Sequence, residues 1–137
     1  MKKILVLCTG NSCRSQIAEG YLKLFLKGKA QVFSAGTKNH KINKYAIETM
    51  KDDGIDISTQ SSNHVSEFKK MKFDYVITVC NHAMETCPIF ISKGSTKIHQ
   101  NFFDPSSINN TEKIKEAFEL CRDEIKKFCY DFSKNIN

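Results

Sequence analysis

The 137-residue chain reads as an α/β fold with a central four-stranded parallel sheet flanked by helices on both faces. Three observations predict it. Short β-branched or apolar runs alternate with longer stretches of helical spacing along the whole chain. The first run, Ile4–Leu7, is continuously apolar, as suits a strand covered on both faces. No linker, repeat or low-complexity stretch interrupts the alternation, so residues 1–137 are expected to form one domain.

The elements follow in order. After Ile4–Leu7, residues Ser15–Lys27 carry a helical stripe of Ile17, Ala18, Tyr21, Leu22, Phe25 and Leu26, closed by Gly28. Gln31–Ala35 is a second strand. A second helix is expected from an Asn43 cap to Gly54, burying Ala46, Ile47 and Met50. Ser66–Met71 reads as a short helix capped by Ser66, Phe73–Cys80 as the clearest strand, and Lys97–Asn101 as the fourth. From Thr111 onward, Ile114, Ala117, Phe118, Cys121, Ile125, Phe128 and Phe132 recur at helical steps, which predicts one long amphipathic helix.

Composition narrows the function. No run approaches the roughly 20 apolar residues of a membrane span, and the apolar run after Lys2-Lys3 is too short for a secretion signal. A cytoplasmic, monomeric protein is the expectation, and in that reducing compartment six cysteines point to catalysis rather than structural disulfides. The net charge of +6 comes from scattered lysines without interleaved aromatics. That disfavours a nucleic-acid partner and suits mild attraction of small anions.

The most informative stretch is Cys8-Thr9-Gly10-Asn11-Ser12-Cys13-Arg14-Ser15, a Cys-x5-Arg loop between a strand and a helix. A loop of that length can turn successive N–H groups around an anion, with the helix N-terminus adding positive potential. Gly10 and Asn11 tolerate unusual dihedrals, and the Arg14 fork can hold two oxygens of a tetrahedral oxyanion. The same field favours a Cys8 thiolate. In parallel sheets ligands bind beyond the carboxyl ends of strands. Cys8, Cys80 and Asp104 each end or follow a strand, so one sheet edge should collect them.

The run Cys8-Thr-Gly-Asn-Ser-Cys-Arg-Ser-Gln-Ile-Ala-Glu-Gly20 resembles the active-site signature of the low-molecular-weight protein tyrosine phosphatase superfamily, in particular its thioredoxin-coupled arsenate reductases. The likeness continues through Phe33–Gly36, Ala46–Met50, Gly54–Ser58, Thr78–Cys80, Cys87-Pro88, Phe103–Pro105 and Arg122–Ile125. It implies a catalytic set of Cys8, Arg14, Ser15, Asp104, Cys80 and Cys87, with Thr9 to Arg14 binding the oxyanion. Asp104, before Pro105, would be the general acid. Cys8, Cys80 and Cys87 would act in turn as a thiol relay that reduces arsenate to arsenite, with phosphate or sulfate as substrate analogues. Thioredoxin would regenerate the thiols, so no cofactor is required.

The resemblance also implies a possible potassium site at Asn11, Glu19, Ser34 and Asn63. The last is asparagine where aspartate is expected, which removes one charge. A competing reading is a phosphatase that hydrolyses aryl phosphates through a phosphocysteine at Cys8. Against it, Ser106-Ser107 stand where such phosphatases commonly place tyrosine, and a phosphatase has no need of Cys80 and Cys87. A helical segment between those two cysteines would separate their α-carbons by roughly 10 Å, beyond the about 7 Å a disulfide spans. Residues 81–87 are therefore expected to loop or unwind on oxidation.

Overall fold

Four parallel strands form the sheet, in the order β2-β1-β3-β4. The computed structural model describes residues 1–136. The strands are β1 (Lys2–Cys8), β2 (Ala30–Gly36), β3 (Tyr75–Thr78) and β4 (Thr96–His99). The helices are α1 (Arg14–Phe25), α2 (Lys44–Asp52), α3 (Asn81–Thr86), α4 (Ile89–Ser92) and α5 (Thr111–Asn135). The expected fold class is the observed one.

Burial explains the strands. Ile4, Leu5, Val6 and Leu7 of β1 and Val76 and Ile77 of β3 are all buried, so the sheet's centre is covered on both faces. Register then fixes the upper edge, placing Cys8 opposite Gly36 and Leu7 opposite Thr78. One continuous apolar cluster runs from β1 to Cys129 of α5. The α5 face that enters it is Phe118, Cys121, Ile125 and Cys129, with Ile114, Phe128 and Phe132 of the predicted stripe packed partly buried against it. Asn110 caps this helix by accepting from the N–H groups of Glu112 and Lys113. Polar ties lock α5 in place: Lys126 pairs with Asp53 at 2.8 Å, and Arg122 donates to the Thr49 carbonyl at 3.0 Å. Asp53 also accepts from the Tyr21 hydroxyl at 2.7 Å, which brings α1 into the same knot.

Three local expectations change. The expected helix Ser66–Met71 is a single 3-10 turn, Val65–Phe68, capped by His64 rather than Ser66. The His64 ring accepts from Ser66 N–H at 3.1 Å while Glu67 accepts from His64 N–H at 2.7 Å, so two orphan amides are satisfied reciprocally. The third strand is shorter than Phe73–Cys80. Phe73 packs edge-on against Phe33 and Phe68 instead of pairing, and Cys80 turns away as the cap of α3. Finally, α3 and α4 occupy a region with no regular apolar period. Only Ala83 of α3 and Ile91 of α4 are buried.

Ile77 is fully buried in β3, between β1 and β4. Ile77→Ala is expected to lower unfolding free energy by about 2–5 kcal/mol, measured by urea denaturation. A loss under about 1 kcal/mol would mean the sheet's centre can collapse around the lost side chain.

Candidate functional site

The loop from Cys8 to Arg14 is shaped by where its carbonyls go. Thr9 C=O accepts from Lys38 N–H at 2.9 Å, Gly10 C=O from His40 N–H at 2.8 Å and Ser12 C=O from Asn43 N–H at 2.9 Å. These bonds pull three carbonyls outward onto the segment after β2. Because the peptide unit is planar and trans, the N–H that follows each carbonyl faces the opposite way, toward the loop's interior. The inward amides expected of an oxyanion loop therefore have a visible cause. Gly36 makes the approach possible. A Cβ there would lie 2.4 Å from the Thr9 and Lys38 carbonyl oxygens, so only glycine fits beneath the loop.

Asn11 carries the loop's bend, with φ 51°. Gly10 does not share it, and its missing side chain leaves room for the His40 ring, which would lie 2.9 Å from a Cβ there. The buried Asn11 amide donates to Ser15 Oγ and Ser34 Oγ, both at 2.8 Å, and its Oδ1 accepts from Asn63 N–H at 2.7 Å. Gln16 donates to the Asn11 carbonyl at 2.9 Å. Asn11 and Ser15 are thus the loop's support, set beneath the pocket rather than lining it.

The pocket has a volume of ≈ 270 Å³ and is lined by Cys8, Thr9, Gly10, Ser12, Cys13, Arg14, His40, Asp104 and Ser106. Arg14 is aimed by the Phe102 carbonyl, to which Nη1 donates at 2.8 Å. Its Nη2 lies 3.8 Å from Asp104 Oδ2, and its buried Nε has no partner. An oxyanion in the pocket would supply that partner. Asp104 Oδ1 accepts from the N–H and hydroxyl of Ser106 at 3.0 and 2.6 Å, which orients the carboxyl at the pocket mouth. His40 is the lining residue that sequence reading missed. Its signal is faint: a histidine four positions beyond the glycine that ends β2.

All six cysteines are unbridged thiols. Cys121 and Cys129 belong to the core of α5, and burial pushes Cys121 up to about 12. Burial likewise raises Cys13 to about 11, which keeps it protonated within the loop. Cys8 and Cys80 behave as a pair. The hydrogen bond from Cys8 pulls Cys80 down to about 5, assisted by the Thr9 hydroxyl 3.4 Å from its sulfur, the Ala83 N–H at 3.4 Å and the charge of Arg14. That same bond, together with burial, drives Cys8 well above an ordinary thiol. The two thiols titrate as a pair that shares a proton, and the Arg14 charge beside them favours loss of that proton from either sulfur. Cys87 stands apart at the far end of α3, half-buried, its pKa raised by burial.

The expected cation ligands do come together. Ser34 Oγ donates to Glu19, Asn11 donates to Ser34, and Asn63 donates to the Ser34 carbonyl at 3.2 Å. Among the described residues no three His, Cys, Asp or Glu side chains are grouped to hold a metal ion. His99 is engaged at both ring nitrogens, by Thr78 Oγ1 at 2.7 Å and Asn81 Oδ1 at 2.8 Å, and so fastens the start of α3 to β4.

A parallel sheet with a Cys-x5-Arg loop at its carboxyl edge and an aspartate at the pocket mouth defines a class. The chain belongs to the low molecular weight phosphotyrosine protein phosphatase family, whose pattern it matches over residues 3–137. Within that class it is similar to the arsenate reductase of Halalkalibacterium halodurans, 42% identical over 134 residues and covering 97% of this chain and 96% of the relative. It is equally similar to arsenate reductase 1 of Staphylococcus epidermidis, 42% identical over 135 residues with 98% of both chains covered. Among solved structures, an arsenate reductase in the phosphate binding state superimposes with a TM-score of 0.80, at 30% identity over 100% of both chains.

The pair's electrostatics give a direct test. Iodoacetamide labelling of Cys80 should follow a thiolate with a midpoint near pH 5, and Cys8→Ala should move that midpoint upward, because the donated hydrogen bond is what lowers it. An unchanged midpoint in Cys8→Ala would dissolve the pair.

Proposed function

We propose that this chain is an arsenate reductase that works by a thiol relay. The observation that carries this reading is Cys80 lying against the oxyanion loop that Cys8 begins, its sulfur 3.4 Å from the Thr9 hydroxyl, with Cys87 one short helix away. The relatives named above support it. A phosphatase requires only the first thiol, and among the described residues the pocket lining holds no tyrosine or phenylalanine to pack against an aryl phosphate.

Arsenate enters the loop, held by inward amides and by Arg14. Cys8 passes its proton along the hydrogen bond to Cys80, and its sulfur attacks arsenic. An As–O bond breaks, and Asp104 acts as the general acid that supplies the proton with which that oxygen leaves as water. Cys80 gives its proton to an arsenic-bound oxygen and then attacks the Cys8 sulfur. The S–As bond breaks with its electron pair on arsenic, so As(V) becomes As(III) and arsenite departs from a Cys8–Cys80 disulfide. Cys87 attacks Cys80, which frees Cys8 and leaves a Cys80–Cys87 disulfide. Both electrons come from thiols, so the scheme calls for no cofactor. The dithiol of thioredoxin reduces the final disulfide in the cytoplasm, acting on a monomer of this chain. Exposed Met84, Ile89 and Phe90 around Cys87 offer an apolar docking rim for that protein. No helix of the described residues is long and apolar enough to cross a membrane.

The last step demands motion. Cys80 and Cys87 bracket helix α3, and seven helical steps hold their α-carbons about 10 Å apart, too far for a disulfide. Helix α3 has little to keep it folded, being six residues long with only Ala83 buried. It therefore unwinds at small cost.

Two measurements check the scheme. In arsenate-dependent NADPH oxidation with thioredoxin and its reductase, Cys8→Ser should abolish turnover and Asp104→Asn should slow it by about 10²–10³-fold. Cys87→Ser should release at most one arsenite per enzyme, and multiple turnovers by this variant would falsify the relay. Amide exchange at Ala83–Thr86 should accelerate when the Cys80–Cys87 disulfide forms, whereas equal protection in both redox states would contradict unwinding.

A further inference from the structure

Glu19 is a buried carboxylate on α1, its side chain 6% exposed. A charge so placed requires a partner, because burial strips it of water. One turn along the same helix, Lys23 Nζ donates to Glu19 Oε2. The other oxygen accepts from Ser34 Oγ, which accepts in turn from Asn11 Nδ2 at 2.8 Å. A chain of charge and hydrogen bonds thus runs from the solvent-facing Lys23, 49% exposed, to the residue that bends the oxyanion loop.

The side chains expected to hold potassium do not fit that ion. Asn11 Oδ1 accepts from Asn63 N–H at 2.7 Å, and both Glu19 oxygens have donors. Asn63, standing where a carboxylate is expected, turns its amide nitrogen as a donor toward the Ser34 carbonyl, and its own Oδ1 accepts from Ser61 at 3.1 Å. A hard cation needs several oxygen lone pairs directed at it. Here those lone pairs face N–H and O–H groups, and the only carboxylate in the set already carries an ammonium.

We propose that Lys23 is a built-in cation: its ammonium stands where a bound metal ion would otherwise neutralise Glu19, and through Ser34 and Asn11 it holds the oxyanion loop in its anion-binding shape. Lys23 is a positioning residue that never touches the substrate. An exposed ion pair would have little effect, but this one has a buried partner, so removing the lysine leaves Glu19 uncompensated. The affinity measurement rests on the loop's being the oxyanion site; the melting measurement does not.

The test compares the full-length wild-type chain with Lys23→Met, which keeps most of the aliphatic stem and removes the charge, and with Lys23→Arg. Melting temperature and the dissociation constant for arsenate are measured in potassium, sodium and choline chloride at equal ionic strength. Wild type and Lys23→Arg should behave alike in all three salts. Lys23→Met should melt roughly 3–6 °C lower in choline and bind arsenate about 5–10-fold more weakly, with potassium restoring part of both. In the double variant Lys23→Met/Glu19→Gln the salt dependence should disappear, since the uncompensated charge is gone. Selective stabilisation of wild type by potassium would overturn the proposal. So would a Lys23→Met variant that matches wild type in every salt, or one that melts lower yet binds arsenate normally. If wild type binds no arsenate at all, the reading of the loop fails, and the melting data still decide the role of Lys23.

Discussion

Three backbone hydrogen bonds, from Lys38, His40 and Asn43 to the carbonyls of Thr9, Gly10 and Ser12, are the constraint from which the chemistry of this molecule follows. A loop at the end of a strand can present either face of its peptide units to a ligand. If its carbonyls faced inward it would repel an anion. Tied outward, they leave the amides that follow them to face the other way, as an anion requires. The bonds form only because β1 and β2 pair in a register that sets Cys8 beside Gly36, where the absence of a side chain lets the two backbones meet. The oxyanion site is therefore a consequence of strand pairing, with Arg14 and the start of α1 adding charge to an arrangement the sheet has already imposed.

Rigidity and mobility are divided accordingly. The loop stands on buried polar side chains, Asn11, Ser15, Gln16 and Ser34, whose hydrogen bonds are satisfied by one another and by nearby backbone. Such a network resists deformation because an opened bond would strand a polar group away from water. Helix α3 is the opposite case. Its six residues bury one alanine, and its start is tied to β4 through His99 while its end at Cys87 has no such anchor. The element that must move in the proposed relay is thus the element least held by the core. The thiol pair sits at the boundary, with Cys8 on the rigid loop and Cys80 at the first residue of the movable segment.

The fold was largely legible from periodicity. The apolar run of β1 is buried as read, and the α5 stripe has the right face, with Phe118, Cys121 and Ile125 buried and Cys129 joining them. What failed to read was local and polar. The His64 cap depends on Glu67 returning a bond to His64 N–H, and the truncation of β3 depends on Phe73 finding aromatic partners from β2 and the 3-10 turn. Helices α3 and α4 escaped notice because one buried residue apiece leaves no period to detect.

Residue identity by itself determined the site's ingredients. A cysteine, five residues, an arginine and a distant Asp-Pro specify a thiol, an anion clamp and an acid, since each is a chemical property of a side chain. Their protonation and division of labour belonged to tertiary structure alone. Asn11 and Ser15 became supports because they point beneath the loop, and His40 joined the pocket because its own amide ties down Gly10. Cys8 and Cys80 titrate together because folding brings their sulfurs close although the residues are 72 positions apart in the chain. A hydrogen bond between such distant residues lowers one pKa and raises the other, and only folding brings them together.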